Sequence, residues 1–251
     1  LDMAPIPGEI EVTDSAPPAD DHVVPFGVVP VGVSREEQVY IRNVDDEHPL
    51  VVNDLDITAT YFEDFEDGEA QDWVPLNPAQ WSVVGGEYHA STSDYSAQMQ
   101  SSYPAQVWQD ASISVRMRRT GGPNATAAVF LRCSADFDYT TSVGSAYGLG
   151  ITGYGRFWVI KWVEGAMTWI QGWTDSPFLN EGETSNDVTL SIEGTAIRVY
   201  FNGNLAWTGS DGSIPGPGSI ARYGFSGASD PITAHHFYDV LVQRPFEGEV
   251  I

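Results

Sequence analysis

Short runs in which apolar and polar residues alternate recur along the chain, and they constrain its fold more than any other feature. Residues 112–118, 187–192 and 196–201 each place apolar side chains on one face and polar side chains on the other. Turn-forming residues separate the runs, and the chain holds 25 Gly and 16 Pro, which suits many tight turns. Alternation with a period of two is typical of half-buried β-strands, and helical periodicity is nearly absent. The sequence therefore predicts an all-β protein.

Paired turn residues predict where strands fold back as hairpins. Asn202-Gly203 directly follows residues 196–201 and precedes a further strand-like run. A type I′ turn needs positive φ at both central positions, which Asn and Gly adopt more readily than other residues. Gly85-Gly86 and Glu164-Gly165 stand between strand-like runs in the same way. We expect a hairpin at each of the three.

The chain is strongly acidic, with 35 Asp and Glu against 11 Lys and Arg and a formal net charge of −24. Nucleic acids and anionic membrane surfaces are held by positive charge, so this composition excludes both as unaided partners. No run of 18 or more apolar residues occurs, which excludes a membrane-spanning helix. Residues 1–72 hold 19 of the acidic residues and two basic ones, whereas all eight tryptophans lie from Trp73 onward. Two regions of different composition predict two domains, joined near residue 60.

The first region carries motifs of a known repeat. Residues 26–32 fit the pattern F-G-x-V-x-V-G, residues 39–43 fit V-x-I-x-N, and residues 50–52 fit L-x-V. Together they resemble the first half of a hydin-like immunoglobulin repeat from bacterial surface proteins of the choice-of-anchor type. The family domain is about twice as long, so residues 1–58 are predicted to form a partial immunoglobulin-like unit. Its missing strands would come from the second domain, from residues 245–251 or from another chain, because an open sheet edge needs a partner.

The second region resembles a different family. Residues 61–68, followed by Trp73 and by residues 81–88, are similar to the opening of the concanavalin A-like jelly roll in its laminin G-like bacterial form. Residues 192–205 and 236–242 are similar to its later strands. The resemblance implies a jelly-roll sandwich over residues 59–244, with residues 245–251 as a tail or a donated strand. It says little about function, because this fold hosts lectins, adhesion modules, structural domains and glycoside hydrolases.

The sequence gives little sign of catalysis. Retaining glucanases of this fold carry a Glu-x-Asp-x-x-Glu strand that sets two carboxylates about 5 Å apart, and the central strands lack that pattern. No Gly-x-Ser-x-Gly nucleophile elbow occurs either. The neighbours His235 and His236 would point to opposite faces of a strand, as surface or half-buried side chains. We therefore expect that the chain is not an enzyme; the alternative, a glycoside hydrolase, predicts a cleft with two facing carboxylates.

Acidic residues near the start of the jelly roll suggest a cation. The first and last strands of a jelly roll are adjacent, which would bring residues 63–67 close to Asp239. Calcium takes six to eight oxygen ligands, with carboxylates and backbone carbonyls among them. The sequence predicts a structural calcium with Asp64 and Asp239 as ligands. The alternative is that these acids are solvated rim charges or turn caps.

Residues 153–173 form the most aromatic stretch, and they point to a sugar. With a period of two, Trp158, Ile160 and Trp162 share one face of the first strand. Exposed aromatic rings stack on the CH faces of pyranose rings while polar neighbours bind the hydroxyl groups. We expect a glycan site near Tyr154, Arg156, Trp169 and Trp173. The alternative is that most of these rings fill the core of the sandwich.

Two functions of different classes follow from these features. The first is a non-catalytic structural or adhesive subunit, secreted or on a bacterial or archaeal cell surface. Its partners would be copies of itself, joined in an oligomer or filament when residues 8–12 or 248–251 complete another chain's sheet. The second is a carbohydrate-binding module of a secreted enzyme or adhesin, with a surface glycan as its partner.

Overall fold

The computed structural model describes residues 10–14, 39–43, 61–227 and 233–243. The chain divides into two compact units, Leu1–Ile57 and Thr58–Ile251. In the first unit, strand β1 (Ile10–Asp14) pairs antiparallel with β2 (Val39–Asn43). Most of the predicted partial immunoglobulin-like unit, residues 1–58, and all of the predicted tail, residues 245–251, lie outside the described residues. The same holds for the predicted donated strand at residues 248–251 and for part of the one at residues 8–12.

The described part of the second unit consists of strands and one short 3-10 helix, Pro78–Gln80. The strands are β3 (Tyr61–Glu63), β4 (Val74–Pro75), β5 (Trp81–Val84), β6 (Glu87–Thr92), β7 (Gln98–Trp108), β8 (Ala111–Thr120), β9 (Thr126–Cys133), β10 (Ala146–Thr152), β11 (Arg156–Val163), β12 (Ala166–Asp175), β13 (Asn186–Glu193), β14 (Ala196–Phe201), β15 (Asn204–Ser210), β16 (Gly218–Phe225) and β17 (Thr233–Gln243). The prediction of an all-β chain is confirmed. No helix in the part that the structure describes is long and apolar enough to cross a bilayer.

The strands form two antiparallel sheets that pack face to face as a sandwich. The seven-stranded sheet has the order β12-β11-β10-β9-β16-β7-β4, and the eight-stranded sheet has the order β15-β14-β13-β8-β17-β6-β5. Strand β3 also pairs with β17, with Glu63 opposite Val240. The first and last described strands of this unit are therefore neighbours, as the sequence predicts.

The three expected hairpins are present. Asn202 and Gly203 have φ of 50° and 79° and connect β14 to β15, as a type I′ turn requires. Glu164 and Gly165, at 49° and 82°, connect β11 to β12. Gly85-Gly86 connects β5 to β6, also with positive φ at both positions. Turn chemistry thus fixes the register of these strand pairs.

Alternating residues of both sheets fill the space between them. Strand β8 contributes Ile113, Val115 and Met117, while β9 contributes Val129 and Leu131 from the other sheet. Each of these side chains is at most 2% exposed. Burial of this apolar surface is the main favourable term that holds the two sheets together.

The seven-stranded sheet is apolar on its outer face as well. Every residue of β9 and β10 is buried, so these strands have no solvent-facing side. A second apolar cluster covers this outer face and includes Phe130, Trp158 and Tyr223. Phe137, from the loop between β9 and β10, packs on Phe130 with ring centroids 5.2 Å apart. Such a two-sided strand reads as a continuous apolar run rather than as an alternating one.

Candidate functional site

A groove of about 260 Å³ opens on the outer face of the seven-stranded sheet. Strands β7, β9, β11, β12 and β16 contribute to it, together with the segment before β9 and the loop between β9 and β10. Its walls are largely aromatic. The lining residues are Gln98, Asn124, Thr126, Tyr139, Trp158, Ile160, Met167, Trp169, Trp173, Tyr223 and Phe225.

The floor of the groove depends on glycines in β10. A Cβ atom on Gly150 would lie 2.2 Å from Cζ2 of Trp158, and one on Gly148 would lie 2.4 Å from Cε1 of Phe130. Both distances are far below van der Waals contact, so the two rings approach the backbone at positions where only hydrogen is tolerated. Gly150 therefore allows Trp158, which is 4% exposed, to lie against the sheet, and Gly148 does the same for the buried Phe130.

The wall formed by β12 depends on two irregularities in its pairing with β11. Ile160 pairs with Trp169, but Val159 pairs with Gln171 and Phe157 with Thr174. Each shift inserts one extra residue into β12, as a β-bulge does. As a result Gln171 turns to the inner face, where its Oε1 accepts a hydrogen bond of 3.1 Å from Nε1 of Trp207. Trp169 and Trp173 both remain on the outer face.

Three tryptophans meet at this wall. The ring centroid of Trp158 lies 6.3 Å from that of Trp169 and 6.3 Å from that of Trp173, with an interplanar angle of 85° in both pairs. Trp169 and Trp173 are also 6.3 Å apart, at 49°. Edge-to-face contacts of this kind are a preferred aromatic geometry. Trp169 is 47% exposed and Trp173 is 42% exposed, so their rings remain free to contact a ligand.

The other side of the groove adds uncharged polar groups. The rings of Tyr139 and Tyr223 lie 4.3 Å apart, and burial raises the pKa of both phenols, so they stay neutral. Gln98, Asn124 and Thr126 supply amide and hydroxyl groups that both donate and accept hydrogen bonds. Among the described residues that line the groove, none carries a formal charge. The arrangement suits a ligand with apolar faces and hydroxyl edges.

The residues predicted to bind a glycan lie at or beside this groove. Trp169 and Trp173 line it. Arg156 begins β11, with Cζ 5.9 Å from the ring centroid of Trp173 and Nε 3.2 Å from Oδ1 of Asp175. Tyr154 lies in the turn before β11 and is half exposed, but it is not among the lining residues. The structure thus brings Arg156, Trp169 and Trp173 together, but only Trp169 and Trp173 line the groove, and Arg156 and Tyr154 lie outside its lining.

Most of the remaining lining residues were not foreseen. Gln98, Asn124 and Tyr223 come from segments far apart in sequence, and only the strand order brings them to one face. One signal was present: two alternating glycines in the apolar run of β10 indicate a close approach by a ring or by another backbone. That signal locates the groove floor without identifying the ring.

The acids predicted as calcium ligands lie on adjoining strands. Asp64 directly follows β3, and Asp239 lies within β17, with which β3 pairs. Oδ1 of Asp64 accepts a hydrogen bond of 3.1 Å from the backbone N–H of Glu66, which is a turn-capping contact. The described residues contain no group of three or more His, Cys, Asp and Glu placed to hold a metal ion. Calcium binding by Asp64 and Asp239 stays a prediction.

The expectation of surface or half-buried histidines is wrong for His235. Its side chain is fully buried, whereas His236, one residue on, lies on the opposite face against Glu87. Burial, reinforced by the positive charge of Arg119, lowers the pKa of His235 to about 3. His235 is therefore neutral at physiological pH.

The fold is shared with solved structures, at low sequence identity. No protein-family model and no curated protein sequence matches the chain. The carbohydrate-binding module CBM66 from Bacillus subtilis is 14% identical with a TM-score of 0.54, covering 68% of this chain and 95% of that one. A Bacillus licheniformis beta-glucanase is 13% identical with a TM-score of 0.58, covering 74% and 98%. The endo-beta-1,3-glucanase from Pyrococcus furiosus is 11% identical with a TM-score of 0.59, covering 75% and 94%. The predicted jelly-roll sandwich is confirmed.

These comparisons correct one expectation from the sequence. The prediction that the chain is not an enzyme is wrong as it was argued, because several structures of the same fold are glucanases or glycoside hydrolases. The missing Glu-x-Asp-x-x-Glu strand excludes only one way of placing two carboxylates. The fold itself therefore gives no ground for excluding glycoside hydrolysis.

Proposed function

We propose that the groove on the outer face of the seven-stranded sheet binds carbohydrate. The observation that carries the proposal is the pair Trp169 and Trp173, nearly half exposed and held by the buried Trp158 beside uncharged amide and hydroxyl groups. Aromatic rings bury the apolar face of a pyranose, while a few placed polar groups fix its orientation. Trp169 and Trp173 are the stacking residues in this proposal, and Asn124 and Thr126 bind hydroxyl groups.

The shared fold supports carbohydrate binding over a purely structural role. The solved structures of this fold include a protein titled as a carbohydrate-binding module and several titled as glucanases. In contrast, the segments on which self-assembly was argued lie largely outside the described residues. A glycan partner of this kind goes with a secreted or cell-surface location, and we include that location in the proposal.

Replacing the exposed rings tests the proposal. We expect Trp169→Ala and Trp173→Ala each to weaken the affinity for a glycan that the wild type binds by about tenfold. This change corresponds to about 1.4 kcal/mol. A pair of aromatic rings contributes roughly 0.5–1.5 kcal/mol beyond its buried area, and we expect a sugar stacked on one of these rings to contribute a similar amount. The measurement is isothermal titration calorimetry with glycans selected from an array. The same glycans are assayed for new reducing ends, so that binding and hydrolysis are measured separately.

Phe62→Ala is the matched control. Phe62 is also an aromatic residue, is 42% exposed like Trp173, and lies on β3 beside the eight-stranded sheet. This variant should bind like the wild type. Absence of binding to every glycan, or an affinity that neither tryptophan variant changes, would contradict the proposal.

A further inference from the structure

We infer that the groove accepts uncharged glycans and discriminates against carboxylated or sulfated ones. This inference rests on the proposed function and names the chemical class of its ligand. It starts from the charge of the chain, −24 overall, with 16 acidic and nine basic residues after residue 72. A polyanionic glycan approaching such a surface is repelled by the field of the whole protein.

The described residues that line the groove carry no positive charge to offset that repulsion. Among its described lining residues none is basic, and its walls are mostly aromatic. A carboxylate or sulfate that enters an aromatic site loses hydration, and without a cationic partner that loss is not recovered. Neutral hydroxyl groups, in contrast, find donors and acceptors on Gln98, Asn124 and Thr126.

The cationic side chain beside the groove is already paired. Nε of Arg156 lies 3.2 Å from Oδ1 of Asp175. An exposed pair of this kind contributes little to stability, but the carboxylate of Asp175 offsets part of the positive charge at the end of the groove next to Trp173. Arg156 can therefore bind a hydroxyl group there while presenting a reduced positive charge.

The size of the groove limits how much of the glycan it holds. Its volume of about 260 Å³ lies below the roughly 300–1,000 Å³ of sites for drug-sized ligands. It therefore accommodates a short segment, and a carboxylate on that segment would have to enter a site whose described walls are mostly aromatic. Discrimination by charge would act on the bound units themselves as well as on the rest of the polymer.

The experiment compares three forms of one glycan that binds: the parent, a form with its primary alcohols oxidised to carboxylates, and the methyl ester of that oxidised form. We expect the oxidised form to bind at least tenfold more weakly at low salt. The difference in affinity between the parent and the oxidised form should decrease at about 0.5 M NaCl, because the screening length falls below the roughly 10 Å found at 0.1 M salt. The methyl ester, which is neutral at the same carbon, should bind like the parent.

Two variants connect the discrimination to the groove. Asp175→Asn leaves Arg156 without its anionic partner and should raise the affinity for the oxidised form several-fold. Trp169→Ala should weaken binding of the parent and of the methyl ester. Equal or tighter binding of the oxidised form at low salt, or a difference in affinity that salt does not change, would overturn the inference.

The outcomes distinguish failure of the charge discrimination from failure of carbohydrate binding itself. If only polyanionic glycans bind, and Trp169→Ala abolishes their binding, the inference fails and carbohydrate binding by the groove stands. If no glycan of either class binds, both fail.

Discussion

The indole ring of Trp169 stands at 85° to that of Trp158, with their centroids 6.3 Å apart. Trp158 is buried, and Trp169 is nearly half exposed. The buried ring thus sets the orientation of the exposed one, and it contacts Trp173 at the same distance and angle. An exposed aromatic side chain that is held in this way loses less rotamer freedom when a ligand stacks on it, which favours binding.

Gly150→Ala should disrupt this arrangement. The new Cβ would lie 2.2 Å from Cζ2 of Trp158, so the ring must leave its place on the sheet. Overpacking of a filled site typically costs about 1–3 kcal/mol, and we expect a loss of stability in that range. Displacing Trp158 also removes the support of Trp169 and Trp173, so glycan affinity should fall. Urea denaturation and the near-ultraviolet circular dichroism of tryptophan measure the two effects.

Gly172→Ala is the control for that substitution. Gly172 lies on β12 within the second irregularity, between Gln171 and Thr174, and a Cβ there would meet no atom within 4 Å. It should change neither stability nor the tryptophan signal appreciably. If Gly150→Ala behaves like Gly172→Ala, the close approach of Trp158 to β10 does not support the groove.

A hydrogen bond between the edge strands β12 and β15 joins the two sheets, and a double-mutant cycle can isolate its contribution. Nε1 of Trp207, on β15, donates to Oε1 of Gln171, on β12. A hydrogen bond of this kind contributes about 0.5–1.5 kcal/mol. We expect Trp207→Phe and Gln171→Met to show a coupling energy of that size in chemical denaturation. Additive losses would mean that the bond does not hold β12, and with it Trp169, to the opposite sheet.

The fold was predictable from local pattern, whereas the groove was predictable only in part. Alternation and the positive-φ turn at Asn202-Gly203 define strands and hairpins through neighbours in sequence, and both features are confirmed. A period of two also places Trp158 and Phe157 on opposite faces. It does not say that both faces are buried, because that depends on the loop that carries Phe137 and Tyr139 over the outer face.

The wall of the groove shows why local pattern fails there. A regular strand would place Trp169, Gln171 and Trp173 on one face. The two extra residues in β12 turn Gln171 inward, and such bulges depend on the pairing with β11 rather than on the sequence of β12 alone. Gln98 and Tyr223 join the groove through β7 and β16, which neighbour each other although they are far apart in the chain. Such long-range pairing leaves no local signal.

The buried Arg222 offers a test of how the core tolerates a cation. Its Cζ lies 4.5 Å from the ring centroid of Trp73, 4.8 Å from that of Phe65 and 5.2 Å from that of Phe237. None of its guanidinium nitrogens has a hydrogen-bond partner among the described residues. Burial lowers the pKa of Arg222 to about 9, so it stays charged at pH 7 although its surroundings disfavour the charge.

Arg222→Met should therefore raise the free energy of unfolding or leave it unchanged. Cation–π contacts return about 2 kcal/mol or more when desolvated. Replacing buried ion pairs by apolar side chains of similar volume is nevertheless often neutral, or stabilising by about 1–4 kcal/mol, and Arg222 has no hydrogen-bond partner among the described residues to offset its desolvation. Arg222→Ala is the contrasting variant, because it leaves a cavity and should cost about 2–5 kcal/mol. A loss of more than about 2 kcal/mol for the Met variant, measured by denaturation at pH 7, would mean that the aromatic cage outweighs desolvation.

His235 should make the protein sensitive to acid. Its pKa is about 3 in the folded chain and about 6.5 when the chain is unfolded. Between these values the unfolded state binds a proton that the folded state does not, so stability falls as pH drops from about 6.5 towards 3. At about 1.4 kcal/mol per unit, we expect the wild type to lose about 3 kcal/mol more than His235→Leu between pH 7 and pH 4.

The measurement is the difference between the two proteins in the change of unfolding free energy with pH, which removes any constant effect of the substitution. The pH range of the measurement ends at pH 4 because of Asp211. Hydrogen bonds to Lys161 and other groups outweigh the effect of burial and lower the pKa of Asp211 to about 2. Below pH 4 the stability that this ionised carboxylate contributes is lost as well. His89→Leu is a useful comparison, since burial and His236 also lower the pKa of His89, but this side chain is only partly buried. Its curve should therefore diverge from the wild type less than that of His235→Leu. Parallel curves for the wild type and His235→Leu would show that His235 takes up its proton equally in both states and is not the source of the acid sensitivity.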